Sequence, residues 1–267
     1  MTDSSRYLSV AQEAAREAGR ILMDHYGKLK NDEVSRKGDY DWVTTIDRLS
    51  EEMIIRILKS AFPDHTILAE ESAPETPRGR MQWLIDPLDG TVNYIHRFPM
   101  FGVSIALMQE GTLQVGVVYD PIRQELFTAL SGEGAWLNGS RIQVTKHPGL
   151  KEAMLATGFP FRAQRHIELY LASFRQIFLR TGSIRRAGSA AIDLAYTACG
   201  RLDGFREMAL SPWDMAAGVL LIEEAGGKVS DFYGEPRYLE NGHITAGNPL
   251  VHQGLVEILT PIFRGKI

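Results

Sequence analysis

The segment WLIDPLDGTVNY, residues 83–94, constrains this chain more than any other. Trp83 to Ile85 form a short apolar run suited to a buried strand that delivers Asp86 at its end. Pro87 removes a backbone donor and fixes φ, so the chain bends there and the carbonyl of Leu88 can be turned toward a ligand. Asp89-Gly90-Thr91 then opens a short helix. Two carboxylates three residues apart around a proline turn can both point into one cleft. That oxygen-rich geometry suits hard cations, two of which can share a bridging carboxylate. Gly90 and Thr91 would present backbone N–H groups at the helix start, a cradle for a phosphate group. The plainer alternative is an ordinary strand, turn and helix with Asp89 as the cap.

The flanking sequence sorts into two styles. Leu8, Ala11, Ala15, Ala18 and Leu22 recur at steps of three and four and predict an amphipathic first helix. The polar stretch NDEVSRKGDYD, with Gly38, reads as a loop or a hairpin. Ile46, Leu49, Met53 and Ile57 mark a second helix, with Thr44 and Asp47 as its capping box and Pro63 past its end. TILAEES and QWLIDPLDG are apolar runs ending in carboxylates, and VSIALMQEGTLQVGVVYDP and ELFTALSGEGAWLNG read as antiparallel hairpins with a tight turn at Asn138-Gly139. After Pro148, MLATGF reads as a strand. IELYLASFRQIFL, SAAIDLAYTACG and VLLIEEAGG read as helices, the last two with glycine stops, and HITAGNP as a closing strand and turn. These styles predict two sub-domains sharing a cleft, an α+β unit over residues 1–148 and an α/β unit over 149–267.

Bulk properties exclude several classes. A chain of 267 residues with a formal net charge of −4 has no basic excess for tracking nucleic acid, so direct nucleic-acid binding is not expected. Cys199 is the only cysteine, which leaves no internal disulfide and fits a reducing, cytoplasmic setting. The polar start MTDSSRYLSVAQEAAREAGR lacks a signal-peptide core, and no later run is apolar enough for a bilayer, so no membrane role is expected. Zinc-type His/Cys spacing and a Walker-type phosphate loop are both missing.

Four segments stand in a familiar order: AEES with Glu70 and Glu71, WLIDPLDGTVNY, RAGSAAIDLAY, and WDMAAGVLLIEEAGG from Trp213 to Gly227. Together they resemble the inositol monophosphatase family from about Leu8 to Pro249. The resemblance implies the layered α-β-α-β-α sandwich, α+β to α/β in class, that this family shares with fructose-1,6-bisphosphatase-like sugar phosphatases. It implies two or three Mg²⁺ ions, the first held by Glu70, Asp86 and the Leu88 carbonyl, the second by Asp86, Asp89 and Asp214. Thr91 and Asp47, with Glu70 at the first ion, would orient or deprotonate the attacking water. Amides of Gly90 and Thr91 would bind phosphate, while Gly188, Ser189, Ala190 and Glu207 would line the substrate side, Glu207 accepting sugar hydroxyls. Such metal ions offset the charge that makes a phosphate monoester a poor electrophile.

The implied activity is hydrolysis of a small sugar or polyol phosphate, inositol-1-phosphate foremost, with lithium sensitivity and a homodimer. Fructose-1,6-bisphosphate, adenosine 3′,5′-bisphosphate, histidinol phosphate and NADP are sibling substrates. ATGFPF and the SPWD loop resemble the bacterial SuhB-type branch, which is associated with transcription antitermination, so a transcription-complex protein partner is a rival expectation.

Weaker candidates keep two readings each. Asp47 can cap its helix, serve the site, or both, and Asp214 alone could cap a helix beginning near Met215. Asp193 can brace its helix or reach substrate; Arg185-Arg186 can be a phosphate patch or, more simply, a solvated face. His65 and His96 read as loop residues and Cys199 as a small buried hydrophobe. In the family, the segment from Val34 to Asp41, with Arg36 and Lys37, lies over the site.

Overall fold

Alanines set the first packing layer. The computed structural model describes residues 3–38, 41–72 and 80–267. Helix α1 (Asp3–His25) buries Ala11, Ala14, Ala15, Ala18 and Leu22, small side chains that let it lie close to the next helix and sheet. The polar stretch is a hairpin, β1 (Val34–Gly38) paired antiparallel with β2 (Asp41–Thr44); Asp39, Tyr40 and the Lys37 side chain lie outside the described residues. Helix α2 (Thr45–Ala61) starts with the expected capping box: Thr44 Oγ1 accepts the Ile46 and Asp47 N–H groups, and the Asp47 carboxylate accepts the Thr44 N–H. Its buried face differs from the expected one. Ile46, Ser50, Ile54 and Leu58 face inward while Leu49 is 44% exposed. Two polar residues on that face hid it: Ser50 donates to the Pro87 carbonyl, and Glu51 accepts from the Glu71 N–H.

Strand β3 (Thr66–Ala69) pairs parallel with β4 (Met81–Asp89), which does not stop at Asp86 as its apolar run suggests. It continues to Asp89, and its register with the next strand slips between Asp86 and Asp89. Pro87 fits such a bulge because no ladder donor is needed there. After the short helix α3 (Thr91–Ile95) come β5 (Gly102–Gln109), β6 (Thr112–Asp120), β7 (Glu125–Leu130), β8 (Gly134–Leu137) and β9 (Ser140–Arg141). They complete a seven-stranded sheet in chain order, antiparallel from β4 onward. Asn138-Gly139, with φ of 48° and 82°, makes the expected tight turn between β8 and β9.

The second sheet begins with β10 (Met154–Thr157), followed by helix α4 (Ile167–Phe178), β11 (Ser183–Arg185), α5 (Ala190–Ala198), β12 (Gly204–Glu207) and α6 (Pro212–Glu224). Then come β13 (Lys228–Ser230), α7 (Tyr238–Asn241), β14 (Ile244–Gly247) and α8 (Pro249–Phe263). The five strands lie in the order β11-β10-β12-β14-β13, with β14 antiparallel to both neighbours. The chain therefore closes on a helix rather than on the expected strand and turn. Asn248 caps it, accepting from the Leu250 and Val251 N–H groups, and Pro249 occupies the first helical position.

Layer by layer, α1 and α2 cover the seven-stranded sheet, α5 and α6 lie between the two sheets, and α4 and α8 cover the five-stranded one. This is the α-β-α-β-α sandwich. Its central helix α6 buries every residue from Met215 to Ile222, as a helix between two apolar sheets must. Close approach depends on missing side chains: a Cβ at Gly116 would stand 2.8 Å from the Ala217 carbonyl oxygen. Among the described residues no helix is long and apolar enough to cross a membrane.

Candidate active site

The bulge in β4 builds one end of the site. Asp86 is 1% exposed, and its Oδ1 accepts the Leu88 N–H, which closes the proline turn on itself. Glu70 follows the parallel neighbour β3 and is tied to β4 by its N–H on the Ile85 carbonyl. Asp214 arrives from the first turn of α6. It is not the cap that the sequence suggested: the helix starts at Pro212, Ser211 is the cap, and Asp214 Oδ2 reaches back to the Ser211 N–H at 2.8 Å. Glu70, Asp86 and Asp214 each offer a carboxylate oxygen, all within 4.8 Å of one another. Arg162, on the 3-10 turn Phe161–His166, stands beside them, 3.5 Å from Asp214 and 3.7 Å from Glu70.

Three carboxyls at this end are pushed upward. Burial, then the charges of Glu70, Asp89 and Asp214, hold Asp86 well above the ordinary carboxylate range. Burial lifts Asp214 to about 7, against the opposing pull of Arg162. Asp89 rises to about 6, also through burial, although Ser189 and the Ala191 N–H hold its charged form lower. These contacts are short, with the Ser189 hydroxyl at 2.6 Å and the Ala191 N–H at 2.7 Å, both on Asp89 Oδ2. Asp89 is thereby fastened to the start of α5, where Ser189 is the cap, and it stands outside the trio of Glu70, Asp86 and Asp214.

Thr91 and Asp47 meet as expected. Thr91 Oγ1 lies 3.0 Å from Asp47 Oδ1 and 3.1 Å from the Leu88 carbonyl, so its single proton has two acceptors. The Leu88 carbonyl thus faces Thr91. Burial raises Asp47 to about 6, with Thr44 and Thr91 pulling the other way. Its capping and site contacts coexist on separate oxygens. Gly90 caps α3 at a φ of +95°, and a Cβ there would stand 3.0 Å from the Met100 carbonyl and 3.2 Å from that of Gly188.

A cleft of about 370 Å³ joins this end to a second one, lined by Gly188, Ser189, Ala190 and Glu207 as the sequence suggested. Burial lifts Glu207 to about 8, with Asp89 adding to the rise and Arg186 opposing it. Asp193 does not line the cleft; it is buried behind Ser189 and bonded into α5. Trp42 lines the cleft with Arg36 over its ring, which brings the β1–β2 hairpin to the site. His65 packs among Phe62, Trp83 and Tyr7, away from the cleft.

Several functional candidates carried little sequence signal. Arg162 and Arg186 line the cleft, Asn93 Nδ2 bridges the Met100 and Ala187 carbonyls across it, and Gly158 of ATGFPF leaves room for the Glu207 carboxyl, into which a Cβ would run. For Gly158 the ATGFPF resemblance was a usable signal; the arginines had none beyond an Arg-Arg pair.

An α-β-α-β-α sandwich with an oxygen-rich cluster beside a helix start is the architecture of the sugar phosphatases. The sequence pattern of the inositol monophosphatase family matches residues 3–262, and the chain belongs to that family. It is 48% identical over 250 residues to the Nus factor SuhB of Escherichia coli strain K12, covering 93% of this chain and 94% of that protein. The extragenic suppressor protein suhB from Bartonella henselae superposes with a TM-score of 0.92 at 40% identity, covering 97% of this chain and 99% of that one. The inositol monophosphatase from Anabaena (Nostoc) sp. PCC 7120 does so with a TM-score of 0.88 at 40% identity, covering 97% of each.

Proposed function

We propose that the protein is a Mg²⁺-dependent phosphatase that hydrolyses a small sugar or polyol phosphate monoester, with inositol-1-phosphate first among its substrates. The observation that carries this reading is the convergence of Glu70, Asp86 and Asp214 oxygens within 4.8 Å, beside the Gly90-Thr91 helix start. The donor set fits magnesium: it is all oxygen, and burial and mutual repulsion lift Asp86 and Asp214, a strain that a divalent cation relieves. Glu70, Asp86 and Asp214 would hold the ions, with the Leu88 carbonyl and the Oδ1 of Asp89 as further donors. When bound, the ions supply positive charge and Lewis acidity that offset the charge of the phosphate.

The remaining roles belong to the chain's own groups. Thr91 Oγ1 can take a proton from the attacking water and pass its own to Asp47 Oδ1, a carboxylate whose pKa of about 6 suits exchange near neutrality. Gly90 and Thr91 amides would orient the phosphate, and Glu207, with Gly188, Ser189 and Ala190, would bind substrate hydroxyls. Phosphate release from inositol-1-phosphate, fructose-1,6-bisphosphate, adenosine 3′,5′-bisphosphate, histidinol phosphate and NADP, with and without Mg²⁺ and Li⁺, tests this. Mg²⁺-dependent, Li⁺-inhibited release that favours inositol-1-phosphate supports the reading; no release from any of them contradicts it.

A second reading rests on the relatives named Nus factor SuhB, and makes the protein a partner in a transcription complex. Capture of transcription proteins by both the wild type and Asp214→Asn would support a binding role separate from chemistry, and no capture would count against it. We also propose a homodimer, whose face would cover apolar side chains that α4 leaves exposed, among them Leu171 and Phe178. A monomer in light scattering would contradict it.

A further inference from the structure

Three residues join the two ends of the cleft. Met208, Ala209 and Leu210 run from Glu207, the last residue of β12, to Ser211, the cap of α6, and all three line the cleft. Asp214 follows in the first turn of that helix. The segment therefore sets how Glu207 stands relative to the carboxylate end. Its middle residue is strained: Ala209 has a φ of +61°, in the left-handed region that a Cβ disfavours. An alanine stays there only where its surroundings hold it.

What holds it is the turn between α7 and β14. The Leu210 N–H donates to the Gly242 carbonyl at 2.9 Å, and the Ala209 N–H donates to His243 Nδ1 at 3.3 Å. Gly242, at a φ of +73°, permits the approach, since a Cβ there would stand 2.6 Å from the Leu210 carbonyl oxygen. His243 does not itself line the cleft. Its ring stacks on Phe232, with centroids 5.4 Å apart and planes 19° from parallel. Its backbone N–H donates to Asn241 Oδ1, and Asn241 Nδ2 donates to the buried carboxylate of Asp231. The imidazole is thus braced from behind with Nδ1 toward the strained residue.

That contact has one requirement. Nδ1 accepts only while it carries no proton, so a protonated ring would set donor against donor at the Ala209 N–H. Burial holds His243 below the ordinary 6.5; His166 and Arg165 of the 3-10 turn add to the fall, while Asp231 and the Gly242 carbonyl oppose it. The ring is therefore neutral and accepting at neutral pH, and the bond is lost on the acid side.

We propose that His243 is a positioning residue for the substrate end: by accepting the Ala209 N–H it holds the strap from Glu207 to Ser211, and its protonation releases the strap and weakens substrate binding. This rests on the phosphatase reading and adds a regulation to that same site.

The experiment compares wild type, His243→Asn and His243→Phe with inositol-1-phosphate at saturating Mg²⁺ between pH 8 and pH 5. An asparagine Oδ1 takes the place of the histidine Nδ1, each one bond beyond Cγ, and accepts at every pH; a phenylalanine keeps the ring stack and accepts nothing. At pH 8, His243→Asn should keep the wild-type KM. His243→Phe should raise it by about tenfold, the worth of one hydrogen bond, with kcat and Mg²⁺ affinity nearly unchanged. Toward pH 5 the KM of the wild type should rise by about three- to tenfold more than that of His243→Asn, because the other titrating groups of the site are common to both. Parallel profiles in these two proteins, an unchanged KM in His243→Phe, or a loss there carried by kcat and Mg²⁺ affinity would overturn the proposal. If no phosphate is released by any of the three, the phosphatase reading fails, and the amide resonance of Ala209 decides the role of His243. It should shift below pH 6.5 in the wild type and hold still in His243→Asn; an equal shift in both, or none in either, would overturn it.

Discussion

The two ends of the cleft are made differently. At the carboxylate end, Asp86, Leu88, Asp89, Gly90 and Thr91 come from one continuous segment, and their geometry follows from a strand bulge, a proline and a helix start. At the substrate end, Gly158, Arg186, Ser189 and Glu207 come from separate segments of the second sheet's layers and meet only through packing. The contrast teaches that the core of the chemistry is encoded in one segment, completed by Glu70 after β3, Asp214 on α6 and Asp47 on α2, whereas the choice of substrate is assembled throughout. Damage at one end should therefore read out differently from damage at the other.

The largest effects belong to the carboxylate end. Asp89→Asn and Asp214→Asn should each lower kcat/KM by about a thousandfold, the several kcal/mol of a lost metal interaction, while thermal unfolding shows the fold intact. Activity within tenfold of wild type in a folded variant would remove that residue from the site. Thr91→Ala should lower kcat by about a hundredfold and leave KM nearly unchanged, because its proton handling matters in the transition state. A KM effect alone would move Thr91 to the binding side of the comparison.

At the other end, Gly158→Ala pushes the Glu207 carboxyl aside and should raise KM by about tenfold, the cost of displacing one hydroxyl contact, with unchanged Mg²⁺ affinity by calorimetry. Weakened Mg²⁺ binding would show that the two ends are not separable.

A smaller, pH-dependent effect spans both ends. Asp47 and Asp89 sit at about 6, Asp214 at about 7 and Glu207 at about 8. All lie above their unfolded values of roughly 4. The folded state therefore binds protons more tightly, and the stability this provides is present in full below the unfolded values and is lost as pH rises through the folded ones. Chelator-treated protein should melt at progressively lower temperature between pH 5 and pH 8, about 5 °C in all. Saturating Mg²⁺ should flatten that slope, since ions favour the ionised carboxylates. A melting temperature that rises over the same interval without metal would contradict the assigned environments.

How much the sequence revealed follows the same division. The D-P-L-D-G-T segment, the Thr44–Asp47 capping box and the Asn138-Gly139 turn are legible because each is settled by neighbours in the chain. The inward face of α2 is hidden in the sequence because Ser50 and Glu51, polar residues, are buried to hold Pro87 and Glu71, partners the sequence does not announce. Taken alone, Asp214 reads equally as a cap near Met215; the structure makes Ser211 the cap and Asp214 the third helical residue, because Ser211-Pro212 starts the helix. Helix α8 has a sequence signal that a closing strand and turn does not use: Asn248-Pro249 is a good cap, and Val251, Leu255, Leu259 and Phe263 are buried at regular steps of four. Arg162 acquires meaning only once the strands of the second sheet lie side by side, whereas Gly158 and Arg186 carried partial signals in ATGFPF and the Arg-Arg pair.

The most direct measurement is phosphate release from inositol-1-phosphate by chelator-treated protein as Mg²⁺ is titrated back, wild type against Asp214→Asn. A magnesium-driven carboxylate end predicts no release without metal, saturable recovery in the wild type, and almost none in the folded variant. Release that is independent of Mg²⁺, or equal recovery in the two proteins, would contradict it.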